Sequence, residues 1–179
     1  MLHSLGAGVR AAFLLQRARR QRFAWPVTLT TPAVASRGLA GGAETVVLRA
    51  IRRTDAQAWY ALRLADAARL SPWEATLPAG SPETLRSFST YAHEQNRLAH
   101  RGMAMPFIVE VDGALAGQVT AAPIHWDALS SASVGYWIGS RWEGRGVMAL
   151  SVAMVLDHLL GPEVGLHRVE INVRPENER

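Results

Sequence analysis

Residues Val134–Leu160 read VGYWIGSRWEGRGVMALSVAMVLDHLL. Val134–Ile138 is a short apolar and aromatic run that stops at Gly139, as a buried strand would. Val147–Leu160 carries apolar residues nearly all round and a single acid, which predicts a largely buried helix. Between them lies Gly139-Ser140-Arg141-Trp142-Glu143-Gly144-Arg145-Gly146. A strand, a glycine-rich turn and a helix start make an anion site, because the first N–H groups of a helix have no partner inside it and its dipole favours negative charge there. Gly144 and Gly146 let the backbone approach a bulky anion closely.

Several devices share that outline. A phosphate-binding loop of the Walker type needs Gly-Lys followed by Ser or Thr, and this chain has no lysine. The dinucleotide pattern is met on paper as Gly144-x-Gly146-x-x-Ala149. Its glycines, however, come well after the strand, and the preceding strands read as hairpin-linked and not parallel. A third pattern is Arg141-x-x-Gly144-x-Gly146 behind a strand ending Gly-Tyr-Trp-Ile-Gly. A glycine-rich turn that holds no ligand is the remaining reading.

The chain has 179 residues, enough for one domain with some excess, and 49% hydrophobic against 19% charged residues suits a globular fold. No window is long and apolar enough to cross a membrane. Without cysteine there can be no disulfide, thiolate nucleophile or thiolate metal site. The histidines are scattered, so no metal is expected.

The formal charge of +4 hides an asymmetry. Residues 1–43 hold Arg10, Arg17, Arg19, Arg20, Arg22 and Arg37 and no acid, which leaves 13 arginines against 15 acids in the rest. The basicity lies outside the domain, so direct nucleic-acid binding by the domain is not expected. Residues 1–43 read as a basic, poorly ordered extension with a possible helix through Val9–Phe23. An organelle transit peptide, a basic arm for RNA or an acidic surface, and a non-functional extension from an early start all fit this composition. The last is favoured.

From Glu44 the pattern is regular. Thr45–Arg52 reads as a strand, Thr54-Asp55 as the cap of a helix to about Ala68, and Leu70-Ser71-Pro72-Trp73-Glu74 as an interruption. Ser81-Pro82-Glu83 starts a helix that runs to about Arg101. Pro106–Val111 and Ala114–Ala121 form a hairpin about Asp112-Gly113, and Ser130–Ser133 leads into the central strand. Gly161-Pro162 ends the buried helix, and His167–Arg174 reads as a further strand.

Strand, two helices, three antiparallel strands, helix, strand is the order of the GNAT N-acetyltransferases. Arg141-x-x-Gly144-x-Gly146 resembles the loop by which that family holds the acyl-CoA pyrophosphate. Four ordered stretches narrow the resemblance to the RimJ/RimL type, which acetylates N-terminal amines of ribosomal proteins. They are Leu70–Glu74, Gly135–Gly139, Trp142–Gly146, and His167–Ile171 with Arg174-Pro175-Glu176-Asn177. The implied fold class is α/β (α+β), a mixed, mostly antiparallel sheet flanked by helices, over residues 44–179. In that family a serine follows within three residues of the asparagine, and a fourth helix and two closing strands come after it. The sequence ends at Arg179, so the resemblance implies a domain without its last helix and closing strands.

The resemblance also implies chemistry: acetyl-CoA as cosubstrate, no metal, a protein N-terminus bearing Ala or Ser as acceptor, and a cytoplasmic location. The N–H groups from Trp142 through Glu143, Gly144, Arg145 and Gly146 to Val147 would hold the pyrophosphate, with Arg141 and Arg145 adding charge. The backbone of Trp137, Ile138 and Gly139 would pair with the pantetheine arm, and Asn177 would bond it from the other side. Glu74 would be the base that takes the amine's proton. Tyr136 faces the site or not depending on register. His125 is expected in a loop and His158 on a helix surface. No general acid is named. The alternative is a fragment without activity that at most binds CoA or a partner protein along an open sheet edge.

Overall fold

The computed structural model describes residues 23–31, 42–74 and 87–177. Its strands are β1 (Leu29–Thr31), β2 (Val46–Ala50), β3 (Met105–Val111), β4 (Ala114–His125), β5 (Ser131–Ile138) and β6 (Arg168–Glu170). Its α-helices are α1 (Ala56–Ala65), α2 (Ala67–Leu70), α3 (Phe88–His100) and α4 (Val147–Leu160). Short 3-10 turns cover Arg53–Asp55, Ser71–Trp73 and Ser140–Trp142.

The six strands form one sheet in chain order. Neighbours are antiparallel as far as β5, and β5–β6 is parallel, as the crossover through α4 requires. Asp112 and Gly113 both have positive φ (50° and 79°), the backbone of a two-residue hairpin turn that matches strand twist. Alternation along β3 sends Met105, Phe107, Val109 and Val111 to one face, where they meet Val147, Val155 and Leu159 of α4. Ile108 goes to the other face and meets Phe88 and Ala92 of α3.

Several expectations change. Residues 23–31 belong to the fold: β1 pairs with β2, and Trp25 is buried against Phe107 with its indole N–H on Asn96 Oδ1 at 2.9 Å. The signal was present, since Phe23, Trp25, Val27 and Leu29 alternate and all join the main core. The rest of 1–43, with most of the expected Val9–Phe23 helix, lies almost wholly outside the described residues, as does Ser81-Pro82-Glu83. Helix α3 is capped by Ser87, whose Oγ accepts the Thr90 N–H.

Asp55 stands at the N-cap position of α1, as expected, but its side chain makes no capping hydrogen bond. Its carboxylate turns back to β2 and takes both terminal nitrogens of Arg49, at 2.9 and 2.7 Å. Helix α4 fully buries only one stripe, Val147, Ser151, Val155 and Leu159, spaced four apart. Strand β4 runs on to His125, which therefore sits at a strand end and not in a loop. Only Arg168–Glu170 of the expected His167–Arg174 strand pairs, because β5 and β6 part after Ser133↔Glu170.

Candidate functional site

The parting of β5 and β6 makes the site. Past Ser133, β5 has β4 on one side and, among the described residues, no strand on the other. In an antiparallel pair the N–H and C=O of one residue point to the same side, and successive residues alternate. The Gly139 N–H goes to Ala116 O at 2.8 Å, so Gly139 faces β4, and by alternation so does Trp137. The backbone groups of Tyr136 and Ile138 therefore face the open side. The expected pairing surface Trp137–Gly139 thus reduces to Ile138, joined by Tyr136.

A cleft of about 530 Å³ lies along this edge. It is closed at one end by the start of α4 and at the other by the Ser71–Trp73 turn and Glu74. Glu74, Trp137, Ile138, Trp142, Glu143, Gly144, Gly146 and Asn177 all border it. Gly139, Arg141, Arg145 and Val147 do not. Val147 is fully buried beneath the helix start. Arg141 and Arg145 are exposed and place their guanidinium carbons 5.1 and 5.5 Å from the Trp142 ring centroid. Trp142 is itself a core residue, so it anchors the loop from below.

The loop's amides divide in two. Trp142 N–H donates to Gly139 O at 2.9 Å and Glu143 N–H to Ser140 O at 3.1 Å, which closes a 3-10 turn and removes both from the expected anion-binding set. The helix's own bonds begin with Leu150 N–H on Gly146 O. The amides from Gly144 to Ala149 are left at the mouth of the helix. Gly144 and Gly146 have φ of +69° and +77°, which only glycine adopts freely, and this backbone turns the strand end into the helix axis.

At the other end, Glu74 is ion-paired with Arg63, whose guanidinium carbon sits 4.8 Å from the Trp59 ring centroid and 5.2 Å from that of Trp137. Between the two ends stands Arg69. It donates to Asp66 Oδ2 at 2.8 Å and to the Ile138 carbonyl, and lies 3.6 Å from Glu143. Asp66 also accepts the Ser140 N–H at 2.6 Å. Burial alone would raise the Asp66 carboxyl, but the bonds from Arg69 and Ser140 outweigh it and hold the group below the usual carboxylate range. Sequence reasoning missed Arg63 and Arg69, since both belong to a helical pattern whose polar face reads as solvated. Tyr136 borders the cleft and is half exposed. His158 is half-buried in α4 and has no hydrogen-bond partner for its Nε2 among the described residues.

Among the described residues no helix is long and apolar enough to cross a membrane, and no group of three or more acids or histidines could hold a metal.

Residues 45–179 match the family described as Acetyltransferase (GNAT) domain. The solved structure of Mycobacterium smegmatis RimJ in complex with CoA-disulfide is 37% identical with a TM-score of 0.74, covering 86% of this chain and 71% of that one. A ribosomal-protein-S5-alanine acetyltransferase from Vibrio fischeri shares the fold, with a TM-score of 0.64 at 23% identity over 74% of this chain and 73% of that one. The probable N-acetyltransferase YjcK of Bacillus subtilis (strain 168) is 36% identical over 66 residues, which is 37% of this chain and 36% of that protein.

Proposed function

The chain belongs to the GNAT acetyltransferase family, and from that premise we propose that it moves an acetyl group from acetyl-CoA to the N-terminal amine of a protein. A ribosomal protein beginning with Ala or Ser is the proposed acceptor, and the cytoplasm the proposed location. The observation that carries this reading is continuity. The edge of β5 at Tyr136 and Ile138, beside which no described strand lies, and the amides at the start of α4 border one cleft. A long ligand with an amide-bearing arm and a diphosphate would need those two surfaces in that order. The similarity to a RimJ solved in complex with CoA-disulfide supports a CoA-type ligand.

Each residue then has a task. Amides from Gly144 to Ala149 meet the diphosphate with N–H donors and the positive end of the helix dipole. Ile138 and Tyr136 offer backbone partners to the arm, and Asn177, which also borders the cleft, offers its side-chain amide to it. Arg141 and Arg145 lie outside the cleft and act on the diphosphate only through their charge. No covalent enzyme intermediate is required. The amine nitrogen bonds to the thioester carbonyl carbon, the C–S bond breaks, and the sulfur leaves as thiolate and takes a proton. The ammonium form of the acceptor cannot attack, and an N-terminal amine has a pKa of about 8, so a modest base suffices. Glu74, at the acceptor end of the cleft, takes that proton.

The test is incubation with acetyl-CoA and peptides that begin with Ala, Ser or a blocked residue. Acetylation of the free N-termini alone is the expected result. Acetylation of another amine with none at any N-terminus would sink the acceptor assignment. CoA binding without any turnover would favour the binding-only reading.

A further inference from the structure

The three consecutive residues that carry the chain from strand to loop are held from one side by one short segment. Ile138 offers its carbonyl to Arg69, and Ser140 gives its N–H to Asp66 at 2.6 Å. Between them Gly139 lies so close to α1 that a Cβ there would stand 2.6 Å from Leu62 Cδ1. Asp66 and Arg69 are themselves joined at 2.8 Å; Asp66 is the residue between α1 and α2, and Arg69 lies within α2. Asp66 is nearly inaccessible, at 7% exposure, although it carries charge. A buried carboxylate stays favourable only while its bonds persist. Helix α2 runs straight into Ser71-Pro72-Trp73 and Glu74, so one short segment touches both ends of the cleft.

We propose that Asp66 and Arg69 are positioning residues for the cofactor half of the cleft: together they fix the end of β5 against the α1–α2 junction, so that the Ile138 carbonyl and the amides at the start of α4 keep the spacing the ligand needs. This rests on the reading of the cleft as the acetyl-CoA site. The carbonyl oxygen has two lone pairs, so the bond from Arg69 leaves one for the ligand's arm. Nη2 of Arg69 serves both Asp66 and the Ile138 carbonyl, while Nη1 lies 3.6 Å from Glu143, so the planar guanidinium spans both acids and the carbonyl in one fixed geometry. A lysine ammonium keeps the charge and loses the second nitrogen.

The experiment compares the full chain with Arg69→Lys and Asp66→Asn. Amide hydrogen exchange is followed across residues 138–149 without ligand, CoA affinity is measured by calorimetry, and both Michaelis constants are measured. In Arg69→Lys, exchange of the bonded amides of this segment, Gly139, Ser140, Trp142 and Glu143, should rise about tenfold. Affinity for CoA should fall about tenfold, with the KM for acetyl-CoA rising alike and the acceptor KM and kcat unchanged. Should Asp66→Asn fail to fold, Arg69→Lys carries the test, since it preserves the charge beside Asp66. Unchanged exchange would mean that the pair holds nothing, whatever the cleft binds. Raised exchange with unchanged CoA affinity would confine the pair to a structural role. Tighter CoA binding would make Arg69 a competitor for the carbonyl. The last three results each overturn the inference. Failure of the unaltered protein to bind CoA would overturn the functional reading first, and this inference with it.

Discussion

Glu74 and Arg63 form an ion pair on the wall of the cleft, and the same guanidinium lies over the rings of Trp59 and Trp137. The carboxylate is half exposed, so the pair adds little to stability. Its value is placement: the aromatic faces limit where Arg63 can go, and Arg63 limits where Glu74 can go.

Glu74→Gln therefore separates chemistry from binding. The amide keeps the shape and loses the proton acceptor. Turnover should fall by about 10²-fold or more, the usual share of a positioned base. Melting temperature and CoA affinity should stay as they were. Rates at raised pH, where more of the acceptor amine is already neutral, should recover in part. Undiminished turnover at neutral pH would remove Glu74 as the base.

Trp25→Ala tests whether the segment before residue 43 is part of the domain. Trp25 is 9% exposed, stacks edge-on to Phe107 at 5.3 Å between centroids, and donates to Asn96. Removing a buried tryptophan costs about 3–5 kcal/mol, and Asn96 would also lose a partner. Thermal or urea unfolding should register a loss of that size. A change below about 0.5 kcal/mol, the usual range for surface positions, would return residues 23–31 to the status of an appendage.

What the sequence made legible was punctuated locally. Gly146 and Gly161-Pro162 bracket α4, and Asp112-Gly113 marks the β3–β4 turn, because each of these residues restricts its own backbone. What stayed hidden depended on distant partners. Nothing near Arg69 says that it will meet a carbonyl 69 residues away. Nor does Ser140-Arg141-Trp142 say that it will close a 3-10 turn and spend two amides that an open loop would have left free. The all-round apolarity of α4 concealed which stripe faces the sheet, and so concealed the partial burial of His158.

His158 makes a pH prediction. Burial holds its imidazole below the usual value, and Glu163 opposes this only in part. Above about pH 6.5 the group is neutral in both folded and unfolded chains and costs nothing. As pH falls through that value the unfolded chain takes up a proton that the folded one resists, so stability is lost on the acid side. His158→Leu should flatten the slope of melting temperature between about pH 7 and 5 relative to the unaltered protein. The other five histidines are common to both curves and cancel in the difference. Parallel curves would show that His158 protonates equally well in both states.

Gly146 joins the folding of the loop to its use. At φ +77° it stands in the left-handed region as the residue before α4, and its carbonyl begins the helix ladder with Leu150. A β-branched residue is doubly unsuited there, so Gly146→Val should lower stability by about 1–2 kcal/mol through backbone strain alone. That loss would blur any binding measurement made on this variant. Gly146→Asn resolves the ambiguity, because asparagine tolerates the left-handed region and yet still brings a Cβ to the mouth of the helix. Its melting temperature should lie well above that of the valine variant. Its CoA affinity should still fall about tenfold, since charged hydrogen bonds are worth roughly 1.5–3 kcal/mol each and 1.4 kcal/mol is a factor of ten. Calorimetry on both variants makes the comparison. A folded Gly146→Asn protein that binds CoA as tightly as the unaltered chain would place the diphosphate somewhere other than the start of α4.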